Sequence, residues 1–135
     1  MSDFPGYPNV LLSFAQLQQL ARDNSASWVA ALSNVKAVYL QTDLKTGKHY
    51  VGSASGNSNG LWQRWVQYAN GDHTGGDCDL KKLVKEKNKE YIEENFQYSI
   101  LEIFDTRVDF DNIISPREEF WKQALDSRKH GYNNN

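Results

Sequence analysis

Val35-Lys36-Ala37-Val38-Tyr39-Leu40-Gln41-Thr42, then Asp43-Leu44-Lys45-Thr46-Gly47, then Lys48-His49-Tyr50-Val51-Gly52-Ser53-Ala54, is the stretch that decides how this chain folds. β-Branched and aromatic residues fill the outer segments and a polar, glycine-ended turn separates them. It reads as an antiparallel hairpin with strands over 35–42 and 48–54. Successive side chains on a strand point to opposite faces. Val38 and Leu40 therefore share one face and Tyr39 takes the other, while Tyr50 and Gly52 lie opposite Val51. Both tyrosines can line the same side of the sheet.

On the C-terminal side, residues 53–60 are rich in Gly, Ser and Asn and form a loop, with Ser58 or Asn59 capping a helix from Leu61 to about Ala69. Arg64 and Tyr68 then stand one turn apart. Asp77 caps a further helix whose Leu80, Leu83 and Val84 turn inward and whose lysines turn outward. Alternating Phe96, Tyr98 and Ile100 mark a third strand over 96–104, an acidic connector follows, and Ser115-Pro116 opens a last helix to about Leu125. On the N-terminal side, an extended lead-in holds Pro5 and Pro8, Ser13 caps a helix carrying Phe14, Leu17 and Leu20, and a short helix over 26–32 places Trp28 beside Leu32. The expected class is α/β (α+β): a small, mainly antiparallel three-stranded sheet flanked by helices. Its expected organisation is a helical extension over 1–34 followed by one domain over 35–135.

A chain of 135 residues, 39% hydrophobic and 24% charged, fits one globular domain with a real core and leaves no room for a second catalytic domain. No apolar run approaches the ~20 residues that span a bilayer, and no charged leader precedes an apolar segment, so a cytoplasmic location without a membrane partner is expected. The lone Cys78 excludes an intramolecular disulfide and a thiolate zinc site. The net charge of −2 and pI near 5.9 sit awkwardly with a polyanionic ligand. The charge is uneven, however. Lys81, Lys82, Lys85, Lys87 and Lys89 form one run, Lys36, Lys45 and Lys48 lie on or beside the hairpin, and acids collect at 90–94 and 105–111. A lysine run on a helix is more often a solvated face than a ligand surface.

Ala37-Val38-Tyr39 and Tyr50-Val51-Gly52 are followed, in order, by three further elements. They are Arg64 in Gly60-Leu61-Trp62-Gln63-Arg64-Trp65, Glu118 in Arg117-Glu118-Glu119-Phe120-Trp121-Lys122, and Asn133 in Gly131-Tyr132-Asn133. Together they resemble the signature of GIY-YIG nucleases over 35–133. Ala37 stands where that signature has its first glycine, and Tyr68 where many members have a histidine. The resemblance implies a metal-dependent endonuclease that hydrolyses DNA phosphodiester bonds. Tyr39 would serve the attacking water as general base, Arg64 would clamp the phosphate, and Glu118 would bind one Mg²⁺ or Mn²⁺. Tyr50 would support the site by hydrogen bonding, and Asn133 would hold the local geometry or the phosphate; the role of Tyr68 is left open.

Phosphodiester hydrolysis needs a deprotonated water and cations on the developing charge. A tyrosine with an ordinary pKa of about 10 is protonated at neutral pH, so Arg64, Lys48 and the metal are expected to lower that of Tyr39. Lys48, Arg64, Lys81, Lys82 and Lys85 are the expected DNA contacts. Each residue also has a plainer reading. Tyr39 and Tyr50 could be cross-strand packing, and Arg64 could stack on a neighbouring indole. Glu118 could close a capping box with Ser115, leaving Glu119 as the reserve ligand, and Asn133 could be tail. The alternative function is a catalytically inactive nucleic-acid-binding module of the same fold. One such site cuts one strand. A double-strand break calls for successive nicks, a homodimer or an additional domain of a longer protein, and the sequence leaves these open.

Overall fold

The computed structural model describes residues 2–55 and 59–135. In chain order its elements are β1 (Leu11–Ser13), α1 (Phe14–Asp23), α2 (Ala26–Ser33), β2 (Val35–Asp43), β3 (His49–Ala54), α3 (Gly60–Ala69), α4 (Cys78–Lys87), α5 (Lys89–Asn95), β4 (Phe96–Asp105), α6 (Ser115–Ala124) and α7 (Ser127–His130). The strands form one antiparallel sheet in the order β1-β4-β2-β3. The three expected strands are all there. The fourth, β1, comes from the lead-in and pairs Leu12 with Tyr98.

The hairpin alternates as its sequence requires. Tyr39 lies opposite Gly52 and Gln41 opposite Tyr50. Their face packs on Phe14, Leu17 and Leu20 of α1, Trp28 and Leu32 of α2, and Leu61, Trp65 and Tyr68 of α3. The other face carries Val38, Leu40 and Val51 and is covered by Ile114 and by Trp121 of α6. Residues 1–34 thus supply side chains to the same core as the hairpin.

β4 does not keep one alternation along its length. Tyr39 pairs with Ile100 but Val38 pairs with Glu102, so Leu101 is an extra residue and the strand bulges. Up to Ile100 the even-numbered side chains share the face of Tyr39; past the bulge Glu102 and Phe104 share that of Val38. Glu102 there accepts hydrogen bonds from Arg117 Nε at 2.7 Å and Trp121 Nε1 at 2.6 Å, which pins α6 to the back of the sheet.

Local caps account for the helix starts. Ser13 and Gln16 form a reciprocal capping box on α1, Asp77 accepts from the Leu80 amide, and Asn88 accepts from the Tyr91 amide to start α5. Of the two residues expected to cap α3, Ser58 lies outside the described residues. Asn59 sits at the helix start in a left-handed conformation and makes no side-chain cap bond. The capping box with Ser115, the plainer reading of Glu118, does not form either. A π turn over Phe110–Ile114 runs directly into α6, so Ser115 is already helical and its amide bonds the Phe110 carbonyl. Glu118 is thereby left free of a structural cap. Lys36 also departs from expectation: it is buried, and its Nζ donates to the Val108 carbonyl at 3.1 Å, so it adds nothing to a basic surface. Among the described residues no helix is long and apolar enough to cross a membrane.

Candidate active site

Four elements bring the candidate residues together: β2 and β3 supply the tyrosines, α3 supplies Arg64 and Tyr68, and α6 supplies Glu118. Tyr39 is fully buried, with its ring edge-on to Trp65 and its hydroxyl 2.5 Å from that of Tyr68. Gly52 makes this possible. A Cβ there would stand 2.5 Å from Tyr39 Cζ and 2.6 Å from its Oη, so the glycine of the second triplet is the space into which the first tyrosine fits.

Arg64 lies one turn before Tyr68, its guanidinium 6.0 Å from the centre of that ring. It lines a cleft of about 290 Å³ with Ser53, Gln63 and Gln67. Among the described residues its hydrogen bonding is sparse: Nη1 makes a long 3.5 Å contact with Gln67 Oε1, and the buried Nε has no partner. A buried donor without an acceptor is costly, and an anion in the cleft would relieve it.

Glu118 faces a second cleft, of about 370 Å³, shared with Tyr50, Asp77 and Lys122. Charge ties the clefts together. Arg64 and Glu118 both act on the ionisation of Tyr39 and of Tyr50, although they come from helices on opposite sides of the sheet. Burial pushes the Tyr39 phenol upward, and the opposing charge of Arg64 and hydrogen bond of Tyr68 do not cancel it. Burial likewise raises Tyr50 and Tyr68. The expected lowering of Tyr39 is therefore reversed in the chain alone, because desolvation disfavours the phenolate more than the guanidinium favours it.

Lys48 takes no part in this cluster. It is exposed, with Nζ 5.7 Å from the Tyr132 ring centre, in a groove that it shares with Lys82. That groove runs past Gly131 and Tyr132, and the last two residues, Asn134 and Asn135, line the Glu118 cleft. Lys85 is exposed on α4, and Lys81 is exposed beside a smaller depression at Gly71 and His73. The reserve carboxylate Glu119 pairs with Arg128 at 2.5 Å, which holds it below the usual carboxylate range.

Asn133 is a buried clasp. Its Oδ1 accepts from the Val51 amide at 2.8 Å and its Nδ2 donates to the Val51 carbonyl at 2.9 Å, so one side-chain amide imitates a neighbouring strand on the outer edge of β3. Asn133→Ala leaves both buried backbone groups unsatisfied and is expected to cost about 2–4 kcal/mol. A denaturant midpoint unchanged from wild type would contradict this.

Two cleft residues had no functional reading in the sequence. Asp77 looked only like a helix cap, which it is, yet its half-buried carboxylate, raised by desolvation, also lines the Glu118 cleft. Lys122 is buried and its Nζ lies 2.9 Å from Glu118 Oε2. Their one-turn spacing was visible in the sequence, but it is also that of an ordinary helix-surface pair.

No group of three or more His, Cys, Asp or Glu side chains among the described residues could wrap a metal ion. The donors in the cleft, Glu118 and Asp77, suit a hard cation that keeps several waters and takes substrate oxygens, which is the habit of Mg²⁺.

The four-stranded sheet flanked by helices matches the fold of GIY-YIG catalytic domains, and the order of these side chains agrees with that likeness. No family model and no curated protein matches the chain. Among solved structures, it is similar to the catalytic domain of intron endonuclease I-TevI in a point-mutant form. The identity is 26% and the TM-score 0.55, over 75% of this chain and 94% of that one. It is similar also to the catalytic domain of homing endonuclease I-TevI, with 25% identity and a TM-score of 0.54, over 73% of this chain and 96% of the other.

Proposed function

We propose that this chain is a metal-dependent endonuclease acting on DNA phosphodiester bonds. The observation that carries the reading is the convergence of Arg64, whose buried Nε has no partner among the described residues, and Glu118 on the two signature tyrosines. The similarity to an endonuclease catalytic domain supports it. Arg64 holds the non-bridging phosphate oxygens, its planar fork matching their geometry and its charge present at every working pH. Tyr39 Oη accepts the proton of the attacking water, and Tyr68 Oη, 2.5 Å away, shares the load through its hydrogen bond. Because Tyr39 is neutral in the chain alone, it first gives up its phenolic proton to solvent as the substrate binds, and the phenolate left behind is the base that takes the proton of the water. Tyr50 orients the cluster between Asp77, Arg64 and Glu118. Glu118 and Asp77 would hold one divalent cation, Mg²⁺ or Mn²⁺, which when bound supplies charge to the developing oxyanion. Lys48 and Lys82 extend the contact to flanking phosphates.

A second reading, a binding module without turnover, is favoured by the raised Tyr39 and the ion pair on Glu118. Nicking of supercoiled plasmid with Mg²⁺, Mn²⁺ or chelator separates the two. Metal-dependent nicking that falls at least about a hundredfold in Glu118→Gln, but not in Glu119→Gln, is the expected result. DNA retention in chelator with no nicking under any metal would leave only the binding module.

A further inference from the structure

Glu118 and Lys122 have a spacing common on exposed helices, where such pairs are weak and the lysine swings in solvent. Here the surroundings differ. Lys122 is only 7% exposed. Besides Glu118 Oε2, its Nζ has Asn135 Oδ1 at 3.3 Å and the Asn135 carbonyl oxygen at 3.4 Å as acceptors. Its charge also acts on the Asp77 carboxyl across the same cleft. The ammonium is therefore held on Glu118 by burial and by Asn135, inside the cleft that Asp77 also lines, rather than swinging in solvent.

We propose that Lys122 is a resident counter-ion that sets the metal affinity of the cleft by competing with the divalent cation for Glu118; this rests on the reading of Glu118 as the metal ligand. Glu118 and Asp77 together carry two negative charges, and Lys122 cancels one of them. A divalent cation on Glu118 would share one carboxylate with an ammonium bonded to its Oε2, and like charges a few ångströms apart in a half-buried cleft repel strongly. Binding thus requires Lys122 to turn away or to surrender Oε2. Removing the ammonium leaves both carboxylates to the metal and should tighten its binding at least about tenfold.

The test is Mn²⁺ binding to the purified full chain without DNA, read from the electron paramagnetic resonance signal of free Mn²⁺. Lys122→Met keeps the apolar stem, and Lys122→Gln serves if the methionine variant fails to melt cooperatively. The expected result is at least about tenfold tighter binding in the uncharged variant, wild-type affinity in Lys122→Arg, and loss of the gain in the double variant Glu118→Gln/Lys122→Met. Equal or weaker binding without the lysine overturns the proposal, even if wild type nicks DNA in a Glu118-dependent way. Tighter binding upholds it, even if no variant cleaves. Absence of Mn²⁺ binding in both wild type and the uncharged variants overturns it together with the assignment of Glu118 as ligand.

Discussion

Arg64→Ala is expected to lower the rate of phosphodiester cleavage by about a thousandfold, the loss typical of removing a donor aimed at developing negative charge. The fold should survive. Arg64 is only half-buried, and among the described residues it makes a long hydrogen bond to Gln67 and rests over the Tyr68 ring, so its removal opens no cavity in the apolar core. Arg64→Lys should recover little, since an ammonium restores charge but not the planar pair of donors that fits a phosphate. The check is single-turnover nicking beside a thermal melt. A melt shifted down by many degrees with an unchanged rate for the folded fraction would make Arg64 a packing residue and remove it from the chemistry.

Deleting residues 1–34 is the second change with a large expected effect, and here the loss is of the fold. Phe14, Leu17, Leu20, Trp28 and Leu32 are all within 3% of complete burial and pack on the sheet face that holds Tyr39. At roughly 2 kcal/mol for each buried side chain, their removal forfeits about 10 kcal/mol, as much as the whole stability of a typical domain. The deletion also strips β1 from β4 and uncovers a strand edge. Residues 35–135 alone should therefore show no cooperative melt and little dispersion in an amide proton–nitrogen spectrum. A dispersed spectrum from the truncated chain would show that the signature region folds by itself.

The hairpin was legible because strand alternation is local: Tyr39, Tyr50 and Gly52 fall on one face by counting along the chain. The capping signals at Ser13 and Asp77 are local too, and the helices they start are present. Features that depend on partners far along the chain were hidden. Leu11–Ser13 is too short to show a period, and only its pairing with Gln97, Tyr98 and Ser99, far downstream, makes it a strand. The bulge at Leu101 follows from pairing with β2, and without it the alternation of 96–104 assigns Glu102 and Phe104 to the wrong face. The acidic run after Lys89 concealed α5, whose single fully buried anchor is Ile92.

The site shows the same division. Identity and order of Tyr39, Arg64 and Glu118 could be read from the chain. The depth of burial that raises Tyr39, the placing of Lys48 in a separate groove, and the meeting of Asp77 with Lys122 depend on how the helices pack. Asn133 could be matched but not understood. Its clasp on Val51 joins residues far apart in sequence, and nothing near Asn133 announces it.

That clasp bears on how this molecule meets others. β3 is an outer strand of the sheet, yet Val51 gives both its backbone groups to Asn133, and the His49 carbonyl receives the Tyr132 amide. A foreign strand arriving at this margin finds those positions taken, which withdraws a common route to aggregation and to dimers built by sheet extension. If two copies come together at this margin to cut both strands of a duplex, they must meet there through side chains, leaving the backbone of β3 out of the contact.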